Sequence, residues 1–212
     1  MKMIYNYIAI EGTIGAGKTS LATKISEDYN GKLILEQFDD NPFLPKFYLE
    51  ADKYAFPLEL SFLAERYQQL TAQLHSQDLF KNFTISDYFI TKSLIFAQKT
   101  LPNDLFGLYN KLFQIINASL PTPDLLVYLY LRVDRLQENI RLRGRSYEQS
   151  IGNDYLEGIQ QGYFEFIKQQ QNMRILILDT NDIDFVKNPA DYQKIMYHIE
   201  QEYAIGIHRI VV

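Results

Sequence analysis

The chain has 212 residues, of which 47% are hydrophobic and 22% charged, and it carries a net charge of −5. These are ordinary values for a globular protein, and the acidic balance argues against a nucleic-acid polymer as partner. The lack of cysteine excludes disulfides and thiolate metal sites, and no stretch approaches the roughly 18 apolar residues of a membrane span. Because the N-terminus also lacks a signal-peptide layout, we expect a cytoplasmic protein with no membrane partner.

The first elements of the chain predict a strand, a glycine-rich loop and a helix. An apolar run over residues 4–10 predicts a buried strand, and apolar residues at helical spacing predict a helix over residues 18–29. The loop between them fits the phosphate-loop pattern G-x-x-x-x-G-K-[ST] at every fixed position. It consists of Gly12, Thr13, Ile14, Gly15, Ala16, Gly17, Lys18 and Thr19.

This loop indicates a nucleoside triphosphate site. Its glycines let backbone N–H groups close around phosphate oxygens, and the N-terminus of the following helix adds a positive dipole. Lys18 is placed to reach the outer phosphates, and the Thr19 hydroxyl is placed to hold Mg²⁺. A glycine-rich turn without a ligand is the alternative, but it leaves Lys18 and Thr19 unexplained.

The rest of the chain alternates between strands and helices. Further strands are predicted over residues 33–36, 83–86, 125–131 and 174–178, and helices over residues 45–75 (interrupted near Pro57), 92–99, 105–118, 134–142 and 154–170. This order predicts one α/β domain over residues 1–212, a P-loop NTPase three-layer sandwich with a five-stranded parallel sheet. The apolar segment 203–212 is compatible with an edge strand, a dimer contact or a frayed tail.

Two carboxylates follow predicted strands. In parallel α/β sheets, ligands bind at the carboxyl ends of the strands, where Glu36 and Asp87 are expected. Phosphoryl transfer to a hydroxyl needs one carboxylate to accept the proton and another to organise Mg²⁺. Helix capping is the alternative for each residue. We expect one of these two carboxylates to accept the proton and the other to hold Mg²⁺ together with Thr19.

Arginines are concentrated in one segment. Five of the eight lie between residues 132 and 145. A solvated helix face is one explanation, but Arg143 and Arg145 flank a glycine where the helical pattern ends. Because the guanidinium fork matches phosphate oxygens, these two predict an arginine-rich lid over about residues 139–150.

An ordered series of short motifs runs from the phosphate loop to the last predicted strand. Its members are Ile10-Glu11-Gly12, Glu36, Asn41-Pro42-Phe43-Leu44, Phe47-Tyr48, Arg66, Ile95-Phe96-Ala97, Pro123-Asp124-Leu125, Arg143-Gly144-Arg145-Ser146-Tyr147-Glu148 and Asp179. With this series the chain resembles bacterial deoxynucleoside kinases over about residues 4–200. The phosphate loop alone specifies only a superfamily, whereas the ordered series specifies the family.

The resemblance implies which residues bind the deoxynucleoside. They are Glu36, Tyr48, Glu59, Arg66, Phe96 and Glu148. Glu36 resembles the base that takes the proton from the 5′-hydroxyl, and Tyr48 and Glu148 resemble the pair that holds the sugar 3′-hydroxyl. Glu59 and Arg66 occupy positions that read the nucleobase edge, and Phe96 resembles the aromatic residue that stacks on the base.

The resemblance also implies the phosphate donor and the assembly. ATP is the expected donor and Mg²⁺ the expected metal. Lys18 contacts the phosphates, Arg143 and Arg145 stabilise the transferring phosphoryl group, and the loop from Asp182 to Phe185 lies beside the donor adenine. A homodimer is the expected assembly.

Tyr88 departs from the family pattern, which has an arginine after the acid that ends the third strand. That arginine helps to hold the 5′ end and the phosphates, and its loss typically costs a few kcal/mol of transition-state stabilisation. Lys92 or Arg141 compensates, or the enzyme is slow, or the protein is not an enzyme.

A second departure concerns the base-reading residues. Glu59 replaces the usual glutamine, and the acid expected between Asp87 and Phe96 is absent. Glu59 could pair with Arg66 and accept hydrogen bonds from N–H groups of the base. Guanine presents N1–H and N2–H₂ to such an acceptor, so a purine preference is expected, with deoxyguanosine as the first candidate.

Three functions remain open at this point. The favoured one is an ATP-dependent deoxynucleoside 5′-kinase. A nucleotide-binding structural or regulatory subunit that kept the fold and lost the chemistry is favoured only by Tyr88, and the intact Lys18, Thr19 and Glu36 argue against it. A nucleoside monophosphate kinase is disfavoured by Tyr48 and Glu148.

Overall fold

Six parallel strands form one sheet in the computed structural model, which describes residues 3–37, 41–76 and 78–212. In the described residues the strands are β1 (Tyr7–Gly12), β2 (Lys32–Ile34), β3 (Thr84–Ser86), β4 (Leu125–Tyr130), β5 (Arg174–Asp179) and β6 (Gly206–Val211), in the spatial order β2-β3-β1-β4-β5-β6. Every neighbouring pair is parallel. The predicted α/β class is therefore confirmed, whereas the predicted number of five strands was too low.

The additional strand is β6, formed by the C-terminal segment whose structure the sequence left open. Its residues pair with β5 from Gly206 opposite Arg174 to Val211 opposite Asp179, so the edge-strand alternative is confirmed. Ile207 and Val211 are exposed and alternate with half-buried residues, so they share the more exposed face of this edge strand. The short apolar tail lacks the continuous hydrophobic run that marked the buried strands.

The helices of the described chain agree with most of the predicted ones. They are α1 (Lys18–Asp28), α2 (Leu44–Leu49), α3 (Ala51–Leu74), α4 (Thr91–Thr100), α5 (Asn103–Asn117), α6 (Val133–Arg143), α7 (Asn153–Gln169) and α8 (Pro189–Ile199), with a 3-10 turn over Ser146–Glu148. In the described chain, no helix has both the length and the apolar character to span a membrane.

Two details of the helices differ from expectation. The long helical region is interrupted at Glu50, which has extended backbone angles (φ −139°, ψ 72°), while Pro57 lies inside α3. The break was misplaced because a proline removes only one helical hydrogen bond and the surrounding helix tolerates it here. Helix α8 was not predicted, although Asn188 caps it by accepting from Ala190 N and Pro189 occupies its first turn, both of which are sequence signals for a helix start.

The described chain divides into two compact units. The sheet unit consists of the described residues of Met1–Leu35, Asp78–Tyr88 and Thr122–Val212, and the helical unit of those of Glu36–Gln77 and Phe89–Pro121. The sheet unit contains all six strands, with α1, α6, α7 and α8. The helical unit contains α2 to α5. The expectation of a single domain remains a prediction.

Each unit has its own apolar core. In the sheet unit β1 is buried along its whole length, as is β4 up to Leu129, and α1 packs on β1, β2 and β3. In the helical unit α3 packs against α2, α4 and α5 and contributes Leu58, Leu63 and Leu70 to the core. These cores hold the ends of β1 and β3 and the inner face of α3, where the candidate functional residues lie.

Candidate active site

The phosphate loop joins β1 to α1 in the sheet unit. Gly15 and Gly17 have left-handed backbone angles (φ 86° and 87°), a conformation that a side chain would strain. A Cβ atom on Gly17 would lie 2.8 Å from Cζ of Phe185, and one on Gly15 would lie 2.7 Å from the carbonyl oxygen of Leu136. The loop therefore needs these glycines both for its backbone shape and for the close approach of its neighbours.

Lys18 folds back over this loop. Its Nζ donates to the carbonyl oxygens of Gly12 (2.8 Å) and Thr13 (3.1 Å). The ammonium group thus lies beside the backbone of the loop, close to the N-terminus of α1. This placement agrees with the role predicted for Lys18.

The structure brings the two predicted metal ligands together. The Thr19 hydroxyl donates to Asp87 Oδ2 at 2.5 Å, and Asp87 is fixed through its backbone N–H, which donates to the carbonyl of Ile34 (3.1 Å). A hydroxyl and a carboxylate oxygen are ligands that Mg²⁺ accepts. The donor set therefore fits the expected metal.

Sequence reasoning missed two residues that support the loop. Asn139 on α6 donates its side-chain amide to the carbonyl of Gly15 (2.8 Å). Glu11, at the end of β1, is buried and accepts a hydrogen bond from the Tyr163 hydroxyl (2.7 Å). The only sequence signal for Glu11 was its position directly before Gly12, the first residue of the loop. The partner residues lie 124 and 152 positions away, so no local pattern could reveal the contacts.

The arginines predicted for a lid meet Glu148. Helix α6 ends at Arg143, and Gly144 follows with a left-handed conformation (φ 72°) that turns the chain back. Nη1 of Arg145 lies 3.2 Å and Nη1 of Arg143 lies 3.6 Å from Glu148 Oε1. Glu148 is buried, whereas both guanidinium groups are partly exposed. Glu148, which the resemblance assigned to the sugar 3′-hydroxyl, thus pairs with the two arginines that it assigned to the phosphoryl group.

The loop beside the expected donor adenine is partly buried. Phe185 is buried against Gly17, whereas Asp182 is exposed. Their contact with adenine remains a prediction.

Glu36, the expected base, lies two residues beyond β2 and forms ion pairs with two cations in the helical unit. Arg66 donates to Oε1 through Nε (2.8 Å) and Nη2 (2.6 Å), and Lys92 donates to Oε2 (2.5 Å). Burial alone would raise the pKa of Glu36, but the positive charges of Lys92 and Arg66 outweigh it and lower the pKa to about 2. Glu36 is therefore ionised at neutral pH.

The contacts of Lys92 bear on the missing arginine. Tyr88, which stands in the place of that arginine, is completely buried, and its carbonyl accepts a hydrogen bond from Ser86 (2.7 Å). Tyr88 is thus a core residue. Lys92, in the first turn of α4, supplies a cation to Glu36 and also lies 5.5 Å from the centre of the Phe96 ring, whereas Arg141 is exposed.

Glu59 does not pair with Arg66, contrary to expectation. The third donor of Arg66, Nη1, binds Ser93 Oγ (2.7 Å), so Glu36 and Ser93 occupy its guanidinium. Glu59 is buried and accepts a hydrogen bond from the Thr100 hydroxyl (2.8 Å). The pairing was wrong because Glu36, 30 residues before Arg66, reaches the same guanidinium, a contact that helical spacing does not reveal.

The other predicted nucleoside residues lie on α2 and α4. Tyr48 is half-buried and packs edge-on against Phe47 at 5.5 Å between ring centres, and Phe96 is half-buried on α4. Asn41 positions the start of α2, since its side chain accepts from Phe43 N (3.0 Å) and donates to Ser61. This explains the Asn-Pro-Phe-Leu motif as a helix start.

Comparison with known proteins gives a consistent result. A family model described as deoxynucleoside kinase matches residues 8–204. A deoxyguanosine kinase of Bacillus subtilis (strain 168) is 37% identical over 92% of this chain and 96% of its own length, and a deoxyadenosine kinase of Dictyostelium discoideum is 30% identical over 93% of this chain and 79% of its own.

A solved structure has the same fold. Deoxyadenosine kinase from M. mycoides, with the products dCMP and dCDP bound, superposes with a TM-score of 0.79 at 26% identity and covers 91% of this chain and 98% of its own. The family model spans most of the chain, and both units contribute residues to that match. The chain belongs to the deoxynucleoside kinase family.

Proposed function

We propose that the chain transfers the γ-phosphate of ATP to the 5′-hydroxyl of a deoxynucleoside and that it prefers deoxyguanosine. The observation that carries the proposal is Glu36, a buried carboxylate held ionised by Arg66 and Lys92 in a member of the deoxynucleoside kinase family. The two curated relatives described above are both named kinases, so they lend no support to the alternative of a subunit that has lost its chemistry.

The sheet unit supplies the groups for the phosphates. Lys18 exchanges the carbonyl oxygens that it now contacts for phosphate oxygens of ATP, and the N–H groups of the loop add further donors. Thr19 and Asp87 are the residues to hold Mg²⁺, which neutralises phosphate charge when bound. Arg143 and Arg145 are partly exposed and pair with Glu148, and the guanidinium fork of each matches the oxygens of a phosphoryl group.

The helical unit supplies the groups for the deoxynucleoside. Glu36 accepts the proton of the 5′-hydroxyl, and its low pKa guarantees the ionised form that this task requires. Lys92 and Arg66 fix both carboxylate oxygens, which orients the base before the substrate arrives. Phe96 and Tyr48 offer half-buried aromatic surface for the base and the sugar.

The preference for deoxyguanosine rests on two observations. Glu59 places an acceptor where the family has an amide, and the relative at 37% identity is named a deoxyguanosine kinase. A homodimer, a cytoplasmic location and a single functional domain remain predictions of the family resemblance.

The test is ATP-dependent phosphorylation of deoxyguanosine, deoxyadenosine, deoxycytidine and thymidine by the wild type and by Glu36→Gln. Loss of a general base typically lowers kcat by about 10²–10⁴-fold, so we expect a loss in this range with the fold retained. Glu27→Gln, an exposed position on α1, is the matched control. Undiminished kcat in Glu36→Gln would remove Glu36 as the base, and faster turnover of a pyrimidine nucleoside would overturn the substrate preference.

A further inference from the structure

Glu59 has one carboxylate oxygen engaged and one available. Thr100 on α4 donates to Oε1 at 2.8 Å, and its oxygen also lies 3.0 Å from the carbonyl of Phe96, so the hydroxyl is held from two sides. Among the described residues, Oε2 has no hydrogen-bond partner and Glu59 has no ion pair. A single atom, Oε2, is therefore left to contact a nucleobase.

Charged groups surround Glu59 but are engaged with one another. Arg66, on the same helix, directs all three donating nitrogens to Glu36 and Ser93, and Lys92 on α4 binds Glu36, which follows β2. From α5, Tyr109 donates its hydroxyl to the backbone carbonyl of Glu59 (3.3 Å). The nearest cations are thus shared with another carboxylate and only partly stabilise a charge on Glu59.

The environment allows Glu59 to exist in both protonation states near neutral pH. Burial raises its pKa to about 7, although the Thr100 hydrogen bond and the charges of Arg66 and Lys92 act in the opposite direction and the charge of Glu36 adds to the rise. Thr100 still reaches Oε1 when the proton resides on Oε2, although this bond is weaker than the one to the carboxylate, which is why it lowers the pKa of Glu59. The two states therefore differ at Oε2 and require no rearrangement of the neighbouring side chains.

The two states suit different bases. Ionised Oε2 only accepts a hydrogen bond, which matches guanine N1–H, whereas protonated Oε2 donates, which matches the bare N1 of adenine. When two donors or two acceptors face each other in a buried site, the affinity typically falls several-fold to many-fold.

We propose that Glu59 selects the nucleobase through its protonation state, binding guanine when it is ionised and adenine when it is protonated. This inference rests on the proposed function, which places Glu59 at the edge of the base. It goes beyond that function because it makes substrate choice depend on pH.

The test is the ratio of kcat/KM for deoxyguanosine to kcat/KM for deoxyadenosine from about pH 5.5 to 8, where neither free base titrates. Steps common to both substrates cancel in this ratio. If each state binds only its own base, the ratio rises about tenfold per pH unit. A ratio that does not change with pH in the wild type would overturn the proposal.

Variants identify the titrating group. Glu59→Gln carries a permanent donor and acceptor, so its ratio should be independent of pH and shifted toward deoxyadenosine. Glu65→Gln, a second partly buried acid on α3, should keep the wild-type slope. Thr100→Val removes a hydrogen bond that lowers the pKa of Glu59 and should move the rise of deoxyguanosine kcat/KM to higher pH. A slope that persists in Glu59→Gln would assign the titration to another residue and refute the proposal.

Binding calorimetry separates this inference from the proposed function. In buffers of different ionisation enthalpy at pH 6.5, deoxyguanosine binding should release protons from the wild type and deoxyadenosine binding should take them up, and Glu59→Gln should do neither. Proton-linked binding without turnover would sustain the inference and refute the kinase. Turnover with no proton linkage for either nucleoside would do the reverse.

Discussion

Replacement of Lys92 by methionine tests the ion-pair cluster around Glu36. The pKa of Glu36 falls from an ordinary value of 4.5 to about 2, which corresponds to about 3 kcal/mol in favour of the ionised form. Lys92 and Arg66 share this effect, and both pairs are nearly buried, with side-chain exposures of 10% for Lys92 and 5% for Arg66. Because burial acts in the opposite direction, the two cations together contribute more than this net figure, and we expect Lys92→Met to lower the free energy of unfolding by roughly 3 kcal/mol at pH 7.

The sign of the pH dependence follows from the direction of the shift. Because the folded-state pKa of Glu36 lies below its ordinary value, the stabilisation is complete above about pH 4.5 and is lost as the pH falls toward 2. Urea denaturation followed by circular dichroism at pH 7 and at about pH 3.5 should show a smaller difference between wild type and Lys92→Met at the lower pH.

Lys99→Met is the matched control, since it removes the same charge from an exposed position on the same helix. It should change the unfolding free energy by less than about 0.5 kcal/mol at either pH.

Lys92→Met should also lower kcat by about tenfold or more if Lys92 supplies the charge of the missing arginine, and Lys92→Arg should restore part of the lost kcat. Equal stability of Lys92→Met and wild type at pH 7, or an equal loss at both pH values, would refute the reasoning.

Two further predictions concern the phosphate loop. Gly17→Ala should raise the Kd for ATP at least tenfold and destabilise the fold, because its Cβ would meet Phe185 at 2.8 Å and its φ of 87° disfavours a side chain. Gly152→Ala, whose Cβ would meet nothing within 4 Å, is the control. Equal ATP affinity of the two variants, measured by calorimetry, would contradict this account. Thr19→Val should raise the Mg²⁺ concentration for half-maximal activity several-fold, because it removes the hydroxyl that contacts Asp87; an unchanged Mg²⁺ titration would exclude Thr19 as a ligand.

The α/β class followed from the sequence because its signals are local. Each buried strand is a continuous apolar run and each helix has its own periodicity, so their alternation predicts a parallel sheet without knowledge of any long-range contact. The edge strand β6 was left open because, with a single neighbour, it alternates between exposed and half-buried residues and resembles other kinds of chain end. Helix α8 had its signal in Asn188 and Pro189, which was not used.

The family resemblance implied which residues form the candidate site, but it could not give their partners. Glu59 illustrates the difference: it was assigned to the base edge with Arg66 as partner, yet Thr100 contacts it instead. Tyr88 was read as a possible mark of lost activity. It is completely buried, and Lys92 supplies a cation to Glu36, but compensation for the missing arginine by Lys92 remains a prediction, which the kcat of Lys92→Met tests.

The phosphate loop could be predicted from local residues alone, because its characteristic groups lie within the eight residues from Gly12 to Thr19 and a strand and a helix flank them. The charge state of the expected base, by contrast, depends on contacts between distant parts of the chain. Arg66 and Lys92 follow Glu36 by 30 and 56 positions. The electrostatic energies of these ion pairs depend on distance and burial, which no spacing along the chain encodes.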